Sequence, residues 1–220
     1  MNEPAAVLWD MDGTLVDTEP YWIECEHDLV AEFGGTWSHE DALSIIGSDL
    51  LDAGVVLRSR GGVDLEPHAI VERLLDGVVS KLTQRGVPWR PGAASLLAEC
   101  VAAGVPCALV TMSWRRFADA VMTTVPDGSF VVSMTGDEVS NGKPHPEPYL
   151  QAASALGVDP TRCVAIEDSR TGVASALNAG CATLGVPHVV TLSAAPGLTI
   201  VESLAGVDLG FLRSLVAGVA

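Results

Sequence analysis

Short apolar runs recur along the chain and predict the strands of a parallel sheet. The first run, residues 5–10 (AAVLWD), shows no regular alternation with polar residues, which is typical of a strand buried on both faces. Four similar runs follow, at residues 106–111, 130–134, 163–168 and 181–186. Beyond residue 187 the pattern weakens, and no further strand is predicted there.

Segments with helical spacing separate these runs. They cover residues 92–104, 113–125, 146–157 and 169–180, and a closing helix is predicted at residues 208–218. Ser113 and Ser169 are suitable N-cap residues for two of them. This alternation of strands and helices predicts an α/β fold, with a parallel sheet covered by helices on both faces.

One long segment departs from the alternation. Residues 18–90 contain amphipathic helical patterns, among them residues 19–35 and 68–86, and few strand-like runs. We therefore predict an all-helical domain of residues 18–90, inserted after the first strand. Residues 1–17 and 91–220 would then form the sheet domain.

Charge and size limit the classes of function. With 220 residues, the chain can form one domain that carries a smaller insert. Its 28 acidic and 12 basic side chains give a net charge of −16, which weighs against nucleic acid or an anionic membrane surface as a partner. An anionic substrate would need a local positive site, and a bound metal ion would supply one.

Cysteine usage and the N-terminal sequence predict a location. The five cysteines are scattered and form no CxxC pair, which fits a reduced protein with buried thiols. The first residues, MNEPAA, lack the basic and apolar regions of a signal peptide, and no apolar run is long enough to span a bilayer. We predict a soluble, cytoplasmic protein and favour a monomer.

Polar residues follow several predicted strands. Asp10 and Asp12 come after the first strand, Thr111 after the second, and Glu167-Asp168 at the end of the fourth, while Lys143 lies in a loop shortly before a helix. Ligands of open parallel sheets bind at the carboxyl ends of the strands, so we expect these side chains to share one site.

Such a set of side chains suits phosphoryl transfer. Clustered carboxylates bind a hard cation, here predicted to be Mg²⁺, through their oxygens. A carboxylate can attack phosphorus and form an aspartyl-phosphate. A lysine offsets the charge of the transferring group, and a hydroxyl with nearby N–H groups holds its oxygens.

Four motifs carry a family resemblance. DMDGTLVD (10–17), the strand-end Thr111, GKPHPEPY (142–149) and EDSRTGV (167–173) together resemble the haloacid dehalogenase superfamily. The most similar branch contains the phosphatases and phosphomutases with a helical cap after the first strand, including β-phosphoglucomutase. The resemblance covers the whole chain in the right order. It implies a Rossmann-like core with a helical cap.

The resemblance also assigns roles to the acidic residues. Asp10 would be the nucleophile and a metal ligand. Asp12 would be the general acid and base, with its backbone carbonyl also bound to the metal. Asp168 would ligate Mg²⁺, and Glu167 would assist directly or through water.

A second group of residues would bind the substrate, a small phosphorylated metabolite. Thr111 and Lys143 would hold its phosphate, with Lys143 also paired to Asp10 as a catalytic residue. The other members expected at the substrate lie in the turn after the first strand, at the start of the cap and after Thr111: Gly13, Thr14, Glu19, Met112 and Ser113. Trp22 is expected to be a core residue, and Arg115 and Arg116 lie either in the cleft or in solvent.

Two other reactions of the superfamily are disfavoured. Dehalogenases lack an aspartate two positions after the nucleophile, where this chain has Asp12. The phosphonatase branch uses a cap lysine for a Schiff base, and Lys81, the one lysine of residues 18–90, has the helical position of a solvated side chain.

Phosphatase and phosphomutase are harder to separate. The mutase holds a second phosphate with a cap arginine, whereas residues 44–54 of this chain contain two aspartates and neither arginine nor lysine. Arg58 and Arg60 follow, and they are either substrate cations or a solvated helix end. We expect a phosphatase that acts on a small phosphorylated metabolite such as a sugar phosphate. The alternatives are a β-phosphoglucomutase-type mutase and a non-catalytic binding or regulatory protein with the same fold.

Overall fold

The computed structural model describes residues 3–46 and 48–217. Within them the chain forms one six-stranded parallel sheet, with strand order β3-β2-β1-β4-β5-β6. The strands are β1 (Ala6–Trp9), β2 (Cys107–Val110), β3 (Val132–Met134), β4 (Cys163–Glu167), β5 (Ala182–Gly185) and β6 (Leu198–Ile200). The five predicted strands are confirmed. The sixth, β6, was not predicted, because it has only three residues, all of them at least partly exposed at the edge of the sheet.

Nine α-helices occur among the described residues. Four precede β2: α1 (Glu19–Glu32), α2 (His39–Ile45), α3 (Leu50–Ser59) and α4 (Pro67–Arg85). The others are α5 (Ala93–Ala102), α6 (Arg115–Met122), α7 (Glu147–Ala155), α8 (Arg170–Asn178) and α9 (Leu209–Ala217). Within the described part of the chain, none of these helices has the length and apolar character needed to cross a membrane.

Helices cover both faces of the sheet, as predicted. The side chains of β1 alternate between two apolar layers. Val7 and Trp9 belong to the layer that includes α5, α6 and α9, and Ala6 and Leu8 to the layer under α7 and α8. Because β1 is central and buried on both faces, its carboxyl end is held rigidly at one edge of the sheet.

The inserted helices pack onto one side of this edge. Trp22 of α1 meets Phe117 of α6 edge-on, with ring centroids 5.2 Å apart. Arg116 of α6 pairs with Glu72 of α4 at 3.0 Å and also with Asp76. The all-helical character of the insertion is confirmed, and the domain boundaries at residues 17/18 and 90/91 stay a prediction.

The two chain segments that lead into and out of the insertion lie side by side. Asp17 N donates to Pro88 O at 2.7 Å, and Arg90 N donates to Leu15 O at 3.0 Å. His188, from the loop after β5, lies against both segments, with Nε2 2.9 Å from Asp17 Oδ1 and Nδ1 3.4 Å from Arg90. The insertion is thus tied to the sheet at its base.

Candidate active site

The carboxyl ends of the three central strands bring the predicted residues together. Asp10 follows β1, Thr111 follows β2, and Glu167 ends β4 with Asp168 next to it. Since β2 and β4 flank β1, these side chains meet at one edge of the sheet. Lys143 reaches them from the loop before α7.

Lys143 is the buried cation at the centre of this site. Its Nζ donates to Asp10 Oδ1 at 2.7 Å, to Glu167 Oε1 at 2.6 Å and to Val110 O at 2.9 Å. Its side chain is only 4% exposed. The two carboxylates raise the pKa of Lys143 although burial opposes this, so the lysine stays charged.

Three carboxylates lie close enough to share a cation. One oxygen from each of Asp10, Glu167 and Asp168 lies within 4.8 Å of the others. Burial and the nearby Glu167 raise the pKa of Asp10 to about 7, and burial and Asp10 raise the pKa of Asp168 to about 9. Asp10 Oδ2 is buried and has no hydrogen-bond partner in the described part of the chain. An unpartnered oxygen among mutually repelling carboxylates is what a hard cation would satisfy.

Two glycines make room for these carboxylates. Gly13 has φ of +82°, and a side chain there would overlap the Asp168 carboxylate. Gly172, in the first turn of α8, lies so close to Glu167 that a Cβ would overlap its carboxylate. Both positions therefore require glycine on steric grounds, and Gly13 also on conformational grounds.

Asp12 is held apart from the carboxylate cluster by hydroxyl groups. Thr18 Oγ1 donates to Asp12 Oδ1, and Ser113 Oγ donates to Oδ2 at 2.7 Å. Burial raises the pKa of Asp12, and these hydrogen bonds oppose the rise. A carboxyl group with a raised pKa beside the Asp10 carboxylate is suited to giving and taking a proton.

The remaining predicted substrate residues divide between the cavity and the layer beneath it. Glu19, Thr111, Met112 and Ser113 line the cavity. Thr111 Oγ1 accepts a hydrogen bond from Ser113 N at 3.0 Å, so Ser113 is fixed beside the strand end and does not cap α6, which begins at Arg115. Thr14 is fully buried, and it and Gly13 form the turn behind the cavity wall.

A cavity of about 540 Å³ lies between the strand ends and the inserted helices. Its floor contains Asp10, Asp12 and Lys143, and its opposite wall comes from α1 and from residues 45–46, 48–50 and 52–53. The start of α8 and the loop after β5, with Val189 and Val190, complete it. A small molecule that filled this cavity would have one end at the carboxylate cluster and the other end against the inserted helices.

The cations considered as substrate ligands lie elsewhere. Arg58 pairs with Glu66 at 3.0 Å, and Arg60 pairs with Asp41, both on the exposed side of the inserted helices. Neither arginine lines the cavity. The interpretation of residues 58–60 as a helix end with exposed, paired cations is the one that the structure supports.

Lys81, Arg115 and Arg116 are also paired outside the cavity. Lys81 Nζ is 2.8 Å from Glu24, and its side chain is only 14% exposed, which is less than a solvated position implies. Arg115 forms an ion pair with Glu138 and donates a hydrogen bond to Ser133 of β3. Arg116 binds α4, as described above.

Sequence reasoning missed four residues at the site. Tyr149 Oη donates to Glu167 Oε1 at 2.7 Å, and Thr18 holds Asp12. Glu26 and Arg170 line the cavity. Tyr149 lies six residues after Lys143 at the start of a predicted helix, and Arg170 lies inside EDSRTGV, so their proximity to the motifs was the available signal.

The chain matches the family model described as haloacid dehalogenase-like hydrolase over residues 7–186. It is similar to hexitol phosphatase B of Escherichia coli (strain K12), with 31% identity over 187 residues that cover 83% of each protein. Among solved structures, it resembles CbbY from Rhodobacter sphaeroides in complex with phosphate, with 26% identity, a TM-score of 0.86 and coverage of 95% of this chain and 99% of that one. The family-model match spans the inserted helices and the strands from β1 to β5.

Proposed function

The chain belongs to the haloacid dehalogenase-like hydrolase family and is a phosphoric monoester hydrolase, and we propose that it releases phosphate from a small phosphorylated metabolite through an aspartyl-phosphate on Asp10. The similarity to hexitol phosphatase B supports a sugar or sugar-alcohol phosphate as the substrate. One observation carries the proposal. Asp10 lies on the cavity floor beside Lys143, which holds its Oδ1, and there its carboxylate can attack the phosphorus of a phosphomonoester bound in the cavity.

In the proposed mechanism Asp10 is the nucleophile and Asp12 transfers the proton. Asp10 attacks the phosphorus, and Asp12 gives its proton to the leaving oxygen. Asp12 then takes a proton from the water that hydrolyses the aspartyl-phosphate, which restores both residues. Thr18 and Ser113 hold Asp12 through both steps.

Lys143 and Thr111 would bind the transferred group. Lys143 keeps its charge between Asp10 and Glu167 and offsets the charge of the phosphoryl oxygens. Thr111 and Met112 line the cavity, where the Thr111 hydroxyl and the Met112 N–H would donate to those oxygens.

The residues present fit a hard divalent cation, which we propose to be Mg²⁺. Asp10, Asp168 and the backbone carbonyl of Asp12 would hold it, and Glu167 would assist directly or through water. The unpartnered Oδ2 of Asp10 and the raised pKa values of Asp10 and Asp168 support this assignment. When bound, the cation would neutralise the carboxylates and let a phosphate dianion approach.

We propose that residues 18–90 form a cap over the sheet domain of residues 1–17 and 91–220. The cap helices supply the cavity wall opposite Asp10, so their closure would exclude water during aspartyl-phosphate formation. The paired segments at Asp17 and Trp89–Gly92 are the proposed hinges. All five cysteines are free and buried, which supports action in the reducing cytoplasm.

A phosphatase fits the cavity better than a phosphomutase does. Asp49 and Asp52 lie on the wall where a second phosphate would have to bind, and Arg58 and Arg60 are paired away from it. A second dianion would meet like charges there.

Hydrolysis of p-nitrophenyl phosphate tests the proposed function. We expect Mg²⁺-dependent release of phosphate, which EDTA abolishes and added Mg²⁺ restores, because the clustered carboxylates repel the substrate when no cation is bound. The assay follows p-nitrophenol by absorbance and inorganic phosphate separately. If the protein releases neither product at any Mg²⁺ concentration, the alternative of a non-catalytic binding protein is favoured instead.

A further inference from the structure

The half of the cavity remote from Asp10 carries acidic side chains that the proposed mechanism does not use. Glu19 and Glu26 lie two turns apart on α1, and Asp49 and Asp52 are exposed residues that also line the cavity. Trp22 and Leu74 provide apolar surface between them. This part of the cavity would receive the leaving group of the substrate.

Glu26 is a buried residue, and only one of its two carboxylate oxygens accepts a hydrogen bond within the described part of the chain. It is 6% exposed, and its Oε2 accepts a hydrogen bond from Trp37 Nε1 at 3.0 Å. No group in the described part of the chain donates to its Oε1. A carboxylate oxygen that lines a cavity and has no donor within the described part of the chain can accept a hydrogen bond from a ligand.

Glu19 lies one helical turn before Trp22 and two turns before Glu26. Burial and the nearby carboxylates, Asp12 first, raise the pKa of Glu19 to about 8, and burial raises the pKa of Glu26 to about 7. The shift at Glu26 comes from burial alone, whereas like charges add to burial at Glu19. A further anion beside Glu19 is therefore unfavourable, and a donor or cationic group of a ligand would favour the ionised form of both carboxyl groups.

The described cations of the cavity are already engaged. Lys143 makes all three of its hydrogen bonds to Asp10, Glu167 and Val110 O. The guanidinium of Arg170 bonds to Thr191 O at 3.0 Å and to its Oγ1 at 3.2 Å. A carboxylate or second phosphate on the leaving group would therefore meet acidic groups without a matching cation.

We propose that Glu19 and Glu26 form a specificity subsite that accepts hydrogen bonds from donor groups of the leaving group, hydroxyl or ammonium, and rejects a leaving group with a second anionic group. The proposal rests on the proposed phosphatase function and names the substrate class. The substrates it favours are phosphomonoesters of polyols, sugars and amino sugars.

Three matched phosphomonoesters test the subsite. Glucitol 6-phosphate, 6-phosphogluconate and 2-amino-2-deoxyglucitol 6-phosphate share one carbon chain and phosphate position, and they differ in one neutral, anionic or cationic group. We expect kcat/KM for 6-phosphogluconate to be lower than for glucitol 6-phosphate by about tenfold or more. The kcat/KM for the amino compound should be at least as high as that for glucitol 6-phosphate. A higher value for the amino compound indicates that the subsite prefers ammonium, and equal values indicate that it recognises hydroxyl groups equally well.

Glu26→Gln is the diagnostic variant. Glutamine keeps the size of the side chain and an oxygen for Trp37, so the fold should be retained, and we expect the penalty on 6-phosphogluconate to shrink by about threefold or more. The advantage of the amino compound should shrink as well. Glu32→Gln on the same helix is the control, because Glu32 is exposed and pairs with Arg73 outside the cavity, and it should leave all ratios unchanged.

The outcomes separate the two proposals. If the wild-type protein hydrolyses p-nitrophenyl phosphate but has equal kcat/KM values for the three substrates, the proposed subsite is wrong and the proposed phosphatase function is retained. The subsite is equally wrong if Glu26→Gln and Glu19→Gln both leave the substrate ratios of the wild type unchanged. Failure to hydrolyse p-nitrophenyl phosphate overturns the proposed function and the subsite with it.

Discussion

Asp10→Asn is expected to lower kcat for p-nitrophenyl phosphate by about 10³-fold or more, because it removes the attacking oxygen. The asparagine oxygen still accepts a hydrogen bond from Lys143, whose second partner, Glu167, remains. The loss of negative charge also relieves repulsion from Glu167 and Asp168. In EDTA, the variant should therefore unfold at a temperature no lower than that of the wild type.

Phosphate release and thermal unfolding check this prediction together. Asp64→Asn is the matched control, because it makes the same chemical change at an exposed position outside the cavity and should leave kcat unchanged. An Asp10→Asn protein that keeps more than about a tenth of wild-type kcat is incompatible with Asp10 as the nucleophile.

Lys143→Met is expected to impair both catalysis and folding. Methionine leaves Asp10 and the fully buried Glu167 without their cation, and breaking a buried ion pair in this way costs about 3–5 kcal/mol. Catalysis loses the charge that offsets the phosphoryl oxygens, so kcat/KM should fall by about 10²-fold or more. Urea unfolding and p-nitrophenyl phosphate kinetics measure the two effects.

The other lysine of the chain provides the control for this change. Lys81 pairs outside the cavity with Glu24 and Asp28, whose side chains are 40% and 71% exposed, so solvent screens these pairs more than it screens the buried pairs of Lys143. Lys81→Met should leave kcat/KM unchanged and have much less effect on stability. Equal loss of stability from the two substitutions would contradict the central position assigned to Lys143.

The sequence predicted the fold best where burial is complete. β1, β2 and β4 are buried along their whole length, so their apolar runs were recognisable and their polar end residues stood out. β6 escaped because an edge strand of three residues leaves no such run. The inserted helices were predicted as a bundle, but α2 and α3 were not separated, although the Ser38–Asp41 capping box and the Asp49 cap mark their starts.

The site was predictable to the extent that its residues lie in the motifs. Asp10, Asp12, Thr111, Lys143 and Asp168 all line the cavity. Glu167 was predicted at the site, but only the folded chain shows that it is buried behind Lys143 and accepts a hydrogen bond from Tyr149. The residues of the cavity wall could not be predicted from the sequence either. Nothing in the helical pattern distinguishes Glu26 from the other polar residues of α1, and whether its side chain faces the cavity depends on how α1 packs.

The most direct test of the account is to find the phosphate on Asp10. In Asp12→Asn, p-nitrophenolate still leaves readily without a proton donor, whereas the water that hydrolyses the aspartyl-phosphate loses its base. Acid quench of this variant with Mg²⁺ and p-nitrophenyl phosphate, followed by peptide mass mapping, should find a phosphorylated peptide containing Asp10, and p-nitrophenol should appear in a burst equal to the enzyme concentration. Turnover by the wild type with no burst in the variant and no phosphate on Asp10 would contradict the proposed mechanism.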